Sequence, residues 1–358
     1  METVSAKQSL SISLQPGSAL IDVRAESEFA QGHIPHFLNL PLLNDTERHQ
    51  VGLAYKTFGQ ERAIKLGHGL VNPQANERIE GWKNEICISS HKRGLITCWR
   101  GGLRSKLVTL EMTKLGLAAI QVEGGYKAMR RELLLTLEGP PSLYVLSGMT
   151  GSGKTQMIRA LPTTNKIDLE ALAEHRGSSF GQLLAVKQPS TATFENRLAL
   201  SIWEKTGPLV VEDESRGIGR VTIPTGFLKQ LRTAPLIILD MPVEQRAKHI
   251  YEEYIATPYA AGVPLPTLQL EAVKGLQCIR KRLGGSLTDL LLSKTHAAFD
   301  RDNIDLELHM IWISLLLVEY YDKLYLHSTA YWERPVLHQG DYDACYQWIL
   351  HHLNLLSR

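Results

Sequence analysis

Ser142-Leu143-Tyr144-Val145-Leu146-Ser147-Gly148-Met149-Thr150-Gly151-Ser152-Gly153-Lys154-Thr155 joins an apolar run to a glycine-rich turn, and a helix-compatible stretch follows from about residue 153. The order strand, Gly-x4-Gly-Lys-Thr, helix is the context that a phosphate-cradling loop requires. A chance match to its four fixed positions in a chain of this length is expected on the order of a per cent of the time, given average residue usage. Gly148, Gly151 and Gly153 let the backbone N–H groups of the turn, that of Ser152 among them, face a diphosphate. Lys154 adds a point charge, and Thr155 could hold a magnesium ion.

Downstream, the runs 208–211 and 235–239 are apolar, partly β-branched and opened by proline, as expected of strands buried in a parallel sheet. Beyond residue 243 apolar residues recur at helical spacing, as in 246–254 and 306–325, so the C-terminal third reads as mostly helical. Upstream, residues 9–138 alternate short apolar runs such as 19–23 and 94–98 with helix-compatible stretches, a second α/β pattern. Glu138-Gly139-Pro140-Pro141 stops a helix and suits a linker. The spacing predicts two domains, 9–138 and 142–358.

A chain of 358 residues with 44% hydrophobic and 21% charged residues can bury a core in each. Its longest strongly apolar stretch, 310–318, is too short for a bilayer crossing, and the N-terminus has no basic segment leading an apolar run. A cytoplasmic protein is expected. Cys87, Cys98, Cys278 and Cys345 are too dispersed for a Cys-x-x-Cys pair and too few for a disulfide framework. The net charge of +2 permits a polyanionic partner without demanding one.

The phosphate loop needs an acid at a neighbouring strand end. Two candidates follow strand-like runs, Glu212-Asp213-Glu214 and Asp240. The first is favoured, because Arg216 and Arg220 follow it and suit a charged substrate.

Cys98 ends an apolar run and opens Cys98-Trp99-Arg100-Gly101-Gly102-Leu103-Arg104-Ser105 ahead of a helix. In such a strand-loop-helix turn, N–H groups aimed at one spot, the helix dipole, Arg100 and Arg104 would lower a thiol pKa and hold an anion. Cys98 is therefore the candidate nucleophile, whereas Cys87, Cys278 and Cys345 lack such surroundings and read as core residues.

Asp22-Val23-Arg24, Glu28-Phe29, Gly32-His33-Ile34-Pro35 and Asn39-Leu40-Pro41, ahead of the cysteine loop, resemble the N-terminal signature of rhodanese domains. That resemblance implies a cysteine carrying a persulfide or its selenium equivalent, with Asp22 and Arg24 chiefly structural. Cys98 to Arg104 spans five intervening residues, the spacing of related phosphatases, and a loop of that size could accept tetrahedral selenophosphate. A rhodanese-like α/β domain followed by a P-loop NTPase-like parallel-sheet domain with a helical C-terminal region resembles the family of tRNA 2-selenouridine synthases. The stretch 40–48, the cysteine loop, Gly124-Gly125-Tyr126, the P-loop and the segment 212–219 all fit that family. His36-Phe37 departs from the glycine-alanine more usual there.

Membership of that family would imply exchange of sulfur for selenium at the 2-position of the wobble uridine of tRNA. Selenophosphate would be the donor, and an S-geranylated intermediate would form from geranyl diphosphate. The P-loop would then hold the diphosphate leaving group, with no tightly bound cofactor. Arg246, Lys248, Lys274, Arg280, Lys281 and Arg282 are candidates for tRNA phosphates, and Trp203, Trp312 and Tyr331 for base stacking. Two rival readings are a sulfurtransferase or phosphatase module fused to an ATP-dependent small-molecule kinase, and a nucleotide-switched binding protein.

Overall fold

The computed structural model describes residues 1–176, 187–300, 305–326 and 334–356. They form two units. Met1–Gly139 and Pro189–Glu204 make the first, Pro140–Gln188 and Lys205–Arg358 the second.

In the first unit, β1 (Glu2–Val4), β2 (Ser18–Asp22), β3 (Leu38–Asn39), β4 (Arg93–Thr97) and β5 (Ala118–Val122) form a parallel sheet in the order β1-β5-β4-β2-β3. The central strands are buried along nearly their whole length, which is why Ala19-Leu20-Ile21 and Leu95-Ile96 read as continuous apolar runs. Around the sheet lie α1 (Ala6–Leu14), α2 (Glu26–Gln31), α3 (Asp45–Phe58), α4 (Gln60–Val71), α5 (Ala75–Ile88), α6 (Leu103–Lys114) and α7 (Gly125–Glu138). A capping box sets the start of α3: Asn44 Oδ1 accepts the Glu47 N–H at 2.9 Å, and Glu47 Oε2 accepts the Asn44 N–H at 2.9 Å. Arg78 then clamps Glu47 and the Leu42 carbonyl, both at 2.8 Å, tying α5 to the stretch 40–48.

The first unit also takes in the helix Thr191–Ile202 from later in the chain. Arg130 of α7 donates to Asn196 Oδ1 at 2.8 Å and pairs with Glu195, while Asn196 Nδ2 donates to the His33 carbonyl at 2.8 Å.

In the second unit, β6 (Leu143–Ser147), β7 (Lys166–Ile167), β8 (Leu209–Glu212), β11 (Leu236–Leu239) and β12 (Val336–Gly340) form a parallel sheet ordered β12-β11-β6-β8-β7. Between β8 and β11 in sequence, β9 (Gly217–Ile218) and β10 (Val221–Thr222) make an antiparallel ribbon. The P-loop strand β6 is central. Two short helices, α8 (Lys154–Ala160) and α9 (Leu169–Ala173), follow it. Helices Leu265–Leu283, Gly285–Phe299 and Leu306–Leu316 close a separate apolar cluster around Leu276, Leu291 and Ile313. The C-terminal third is thus largely helical, but it also supplies the edge strand β12 and the helix Tyr342–Leu356, whose Cys345 and Ile349 pack with Leu146 and Ile237 of the sheet. Among the described residues, no helix is long and apolar enough to cross a membrane.

Candidate active sites

β4 ends at Thr97, and the chain turns at once into the cysteine loop. Cys98 is buried at its floor, with Sγ 3.1 Å from Ser105 Oγ. Ser105 Oγ also accepts from Gln121 Nε2 at 2.9 Å, and the same amide donates to the Gly101 carbonyl at 2.7 Å, so β5 fixes the loop from below. The start of α7 fixes its other side: the Tyr126 and Lys127 N–H groups donate to the Cys98 and Trp99 carbonyls at 2.8 and 3.0 Å. This close approach requires glycine, because a Cβ on Gly125, whose φ is +58°, would stand 2.2 Å from the Cys98 oxygen. The backbone N–H groups of residues 99–104 find no hydrogen-bond acceptor among the described residues. Six consecutive donors following a buried thiol, at the start of α6, are the makings of an anion cradle.

The acidic and basic residues before the loop divide into two pairs. Asp22 and Arg24 are fully buried and joined at 2.7 Å, and Arg24 also donates to the Gly32 carbonyl at 2.9 Å and lies 4.0 Å over the Tyr126 ring. They brace the loop from behind. Arg104 pairs with Glu28 at 2.5 Å, a partner 76 residues away in sequence. Burial works against the charge on both members. The Arg104 hydrogen bond nevertheless holds the Glu28 carboxyl below its ordinary value, and Glu28, aided by Cys98 and Asp22, raises Arg104. Arg100 is exposed, with no side-chain partner among the described residues. His36 adopts φ of +70°, the left-handed region that favours glycine.

In the second unit, Gly148, Gly151 and Gly153 have φ of +153°, +82° and +86°, and the loop turns on the bond from the Ser152 N–H to the Met149 carbonyl at 3.1 Å. A Cβ on Gly148 would lie 2.6 Å from the Leu239 carbonyl oxygen, so this position demands glycine on two counts. The N–H groups of Met149, Thr150, Gly151, Gly153, Lys154 and Thr155 find no acceptor among the described residues. Lys154 Nζ folds back onto the Gly148 and Met149 carbonyls at 2.6 and 3.3 Å. Arg246, itself buried, donates to the Thr150 carbonyl at 3.2 Å while pairing with Asp322 at 2.8 Å.

Beside this loop, one carboxylate oxygen from each of Glu170, Glu212 and Glu214 lies within 4.8 Å of the other two. Glu212 ends β8, next to the P-loop strand, and Glu170 in α9 accepts from Thr155 Oγ1 at 3.0 Å. Burial and the neighbouring carboxylates push Glu212 well up and Glu214 to about 7, while burial pulls Lys154 down against the attraction of the same acids. Glu212 Oε1 is buried with no hydrogen-bond partner among the described residues. A divalent cation would satisfy that oxygen and relieve the repulsion, so the donor set fits a hard, oxygen-liganded ion such as magnesium. Asp213 faces other partners, accepting from Ser147 Oγ at 2.7 Å and pairing with Arg334 at 3.4 Å. Asp240 accepts from Gln339 at 2.8 Å, on the far side of the sheet order.

Arg216 and Arg220 are exposed around the β9–β10 ribbon, with no side-chain partner among the described residues. Of the basic residues read as tRNA contacts, Arg246 is instead a buried brace of the P-loop. Lys248, Lys274 and Arg280 are exposed but paired with Glu252, Glu271 and Asp289, and Lys281 and Arg282 are exposed without a partner among the described residues. Trp312 is buried, Trp203 is half-buried and donates to Ser11 at 3.2 Å, and Tyr331 lies outside the described residues. Cys345 is a core residue as read from sequence, but Cys87 and Cys278 are exposed. Each follows or precedes an inward isoleucine, Ile86 or Ile279, and a helix turns about 100° per residue, which carries them out of the core.

Comparison with known proteins covers both units. A model of the rhodanese-like domain matches residues 6–132, and one described as the tRNA 2-selenouridine synthase AAA domain matches residues 141–355. The chain is 39% identical to the tRNA 2-selenouridine synthase of Shewanella frigidimarina over 93% of its own length and 94% of the relative's. It is 39% identical to that of Marinobacter nauticus over 92% and 93%, and 40% identical to that of Sulfurovum sp. over 90% and 92%.

Proposed function

Because the chain belongs to the tRNA 2-selenouridine synthase family, we propose that it modifies tRNA with selenium, replacing the sulfur of the wobble 2-thiouridine. The observation that carries the reading is the presence in one chain of two separate runs of N–H groups that find no acceptor among the described residues, one following a buried thiol and one beside a lysine and three carboxylates.

The two cradles suit two successive steps. In the first, the 2-thio sulfur attacks the terminal carbon of geranyl diphosphate; a carbon–sulfur bond forms, the carbon–oxygen bond breaks, and diphosphate leaves. The P-loop N–H groups and Lys154 stabilise the charge developing on that leaving group. Glu170, Glu212, Glu214 and Thr155 would hold magnesium there, and the ion would supply further positive charge for the leaving group. Alkylation turns a poor leaving group into a better one.

In the second step, the Cys98 sulfur attacks carbon 2 of the uridine; a carbon–sulfur bond to Cys98 forms, the bond to the alkylated sulfur breaks, and geranyl thiol departs with the electron pair and a proton. The selenium of selenophosphate then attacks carbon 2, a carbon–selenium bond forms, and Cys98 leaves with the electron pair of its carbon–sulfur bond; water then cleaves the phosphorus–selenium bond to release phosphate. The N–H groups of 99–104 with Arg104 and the exposed Arg100 are assigned as the grip on the selenophosphate oxyanion. The reading puts the reaction in the cytoplasm, where tRNA is available.

The test is mass analysis of wobble nucleosides after incubating thiolated tRNA with both co-substrates. Wild type should give selenouridine, Lys154→Ala should give neither the geranylated nor the selenated nucleoside, and Cys98→Ser should stop at the geranylated one. Robust tRNA-independent ATP turnover that is lost in Lys154→Ala, with no geranylation by any form, would overturn the reading in favour of a kinase fusion.

A further inference from the structure

Within the first unit a groove of about 1020 Å³ runs between α3, α4, α5 and α6, at the upper end of the range, about 300–1,000 Å³, of clefts that enclose small molecules. Leu43, Val51, Ile79, Trp82 and Leu107 line it. Its wall is shared with the cysteine site, since Leu43, Trp82 and Val108 belong to the same buried cluster as Cys98. Arg104, at the end of the loop, also lines the groove.

Charge is distributed unevenly around this apolar wall. Arg48, Lys56, Arg104 and Lys114 line it against Glu111, which pairs with Lys114 at 3.3 Å, and Glu28, which pairs with Arg104 and Arg48, leaving a net of two positive charges with histidines neutral. A bare nucleoside would leave its hydrogen-bonding edges unmatched against such a wall. A free hydrocarbon would make no use of the basic rim. The combination fits an aliphatic chain tethered to a polyanion.

We propose that this groove holds the alkyl chain carried on the 2-sulfur of the tRNA while carbon 2 of the uridine faces the cysteine loop, the basic rim taking the flanking phosphates. The assignment rests on the S-alkylated intermediate proposed above. It makes the groove, rather than the cysteine loop alone, the element that distinguishes alkylated tRNA from its thiolated precursor. Each methylene buried raises affinity about fourfold, so chain length should be read directly in binding.

The probes are anticodon stem-loop RNAs whose wobble 2-thiouridine bears S-geranyl or S-methyl, titrated against the full-length protein with selenation followed in the same samples. Gly52→Phe blocks the groove: Gly52 lies in α3, lines the groove, and a Cβ there meets nothing within 4 Å, so the helix keeps its packing. Wild type should bind the geranyl RNA at least tenfold more tightly than the methyl RNA, and Gly52→Phe should bind both alike, with methyl-RNA affinity within twofold of wild type. Equal binding by wild type, or a geranyl preference that survives Gly52→Phe, overturns the groove assignment while selenation of the geranyl RNA leaves the proposed reaction standing. A groove-dependent preference without any selenation sinks the reaction and keeps the site. A Gly52→Phe protein that changes only its sedimentation would assign the groove to a second copy of the chain.

Discussion

Replacing Gly125 by alanine tests the docking of the cysteine loop on α7. The new Cβ would lie 2.2 Å from the Cys98 carbonyl oxygen and 2.4 Å from the Gly101 nitrogen, and the loop must retreat by about 0.8 Å before the first contact reaches even 3.0 Å. The left-handed backbone at this position costs an alanine about 1–2 kcal/mol, and relieving the overlap in a packed site costs about 1–3 kcal/mol more. The expected loss is therefore about 2–5 kcal/mol, felt in the bonds from the Tyr126 and Lys127 N–H groups. A reacting group displaced by nearly 1 Å loses about 10²-fold in rate. Urea dependence of Cys98 alkylation, followed by peptide mass spectrometry so that the exposed Cys87 and Cys278 do not interfere, reads the stability of this unit alone. Gly102→Ala is the control, because its φ is −94° and a Cβ there meets nothing within 4 Å; it should shift stability by less than about 0.5 kcal/mol. If Gly125→Ala matched Gly102→Ala in urea midpoint and in selenium incorporation, the reasoning would fail.

Cys98→Ser should abolish selenium incorporation and leave tRNA binding within a few-fold, because a hydroxyl cannot replace a thiolate as reacting group; full incorporation would remove Cys98 from the chemistry. Arg104→Ala strips Glu28 of its close cation, leaving Arg48 at 3.7 Å. Since the folded-state pKa of Glu28 is depressed, the stabilisation it contributes is present above its unfolded pKa and lost as pH falls through the folded value. The variant should be destabilised by about 1–3 kcal/mol at pH 7, the cost of leaving a part-buried carboxylate short of its donor, with the gap to wild type closing below pH 4.5; a constant gap from pH 7 to 3.5 would contradict the pairing. For Glu214 the sign reverses: its raised pKa stabilises the protonated form, so stability is lost as pH rises through about 7. Magnesium should accordingly raise the melting temperature more at pH 8 than at pH 6, and equal rises at both would argue against an ion on these carboxylates.

Strands with both faces buried were legible to within a residue or two, because β2, β4, β6, β8 and β11 are each built around a short apolar run. Strand β12 was not, since Val336-Leu337-His338-Gln339-Gly340 lies at a sheet edge, mostly exposed, with no pattern to read. The glycines of both loops could be recognised, since positive φ and close approach leave glycine as the residue that fits. What the sequence hid were partners brought together by topology. Glu170 lies in no motif, 15 residues past the threonine it accepts from, and its one local signal is Asp168 capping α9. Glu28 was visible as part of a motif, but not as the partner of Arg104. Arg246 carries the same charge as its exposed helix neighbour Lys248, and only its burial separates a P-loop brace from a tRNA contact.

The path of the chain has a consequence for how the protein is made. It leaves the first unit at Gly139, returns at Pro189 and leaves again at Glu204, so the surface of α7 around Arg130 waits for a helix encoded after the P-loop. At roughly 5–20 residues per second of synthesis, the 65 residues from 140 to 204 take roughly 3–13 seconds to arrive. During that interval the cysteine loop and the groove beside it have been translated but their unit is incomplete, while the P-loop strand is already emerging. A ribosome stalled before residue 190 would therefore carry a first unit still lacking its last helix, and a gene cut at the Gly139-Pro140 linker would encode that shortfall permanently.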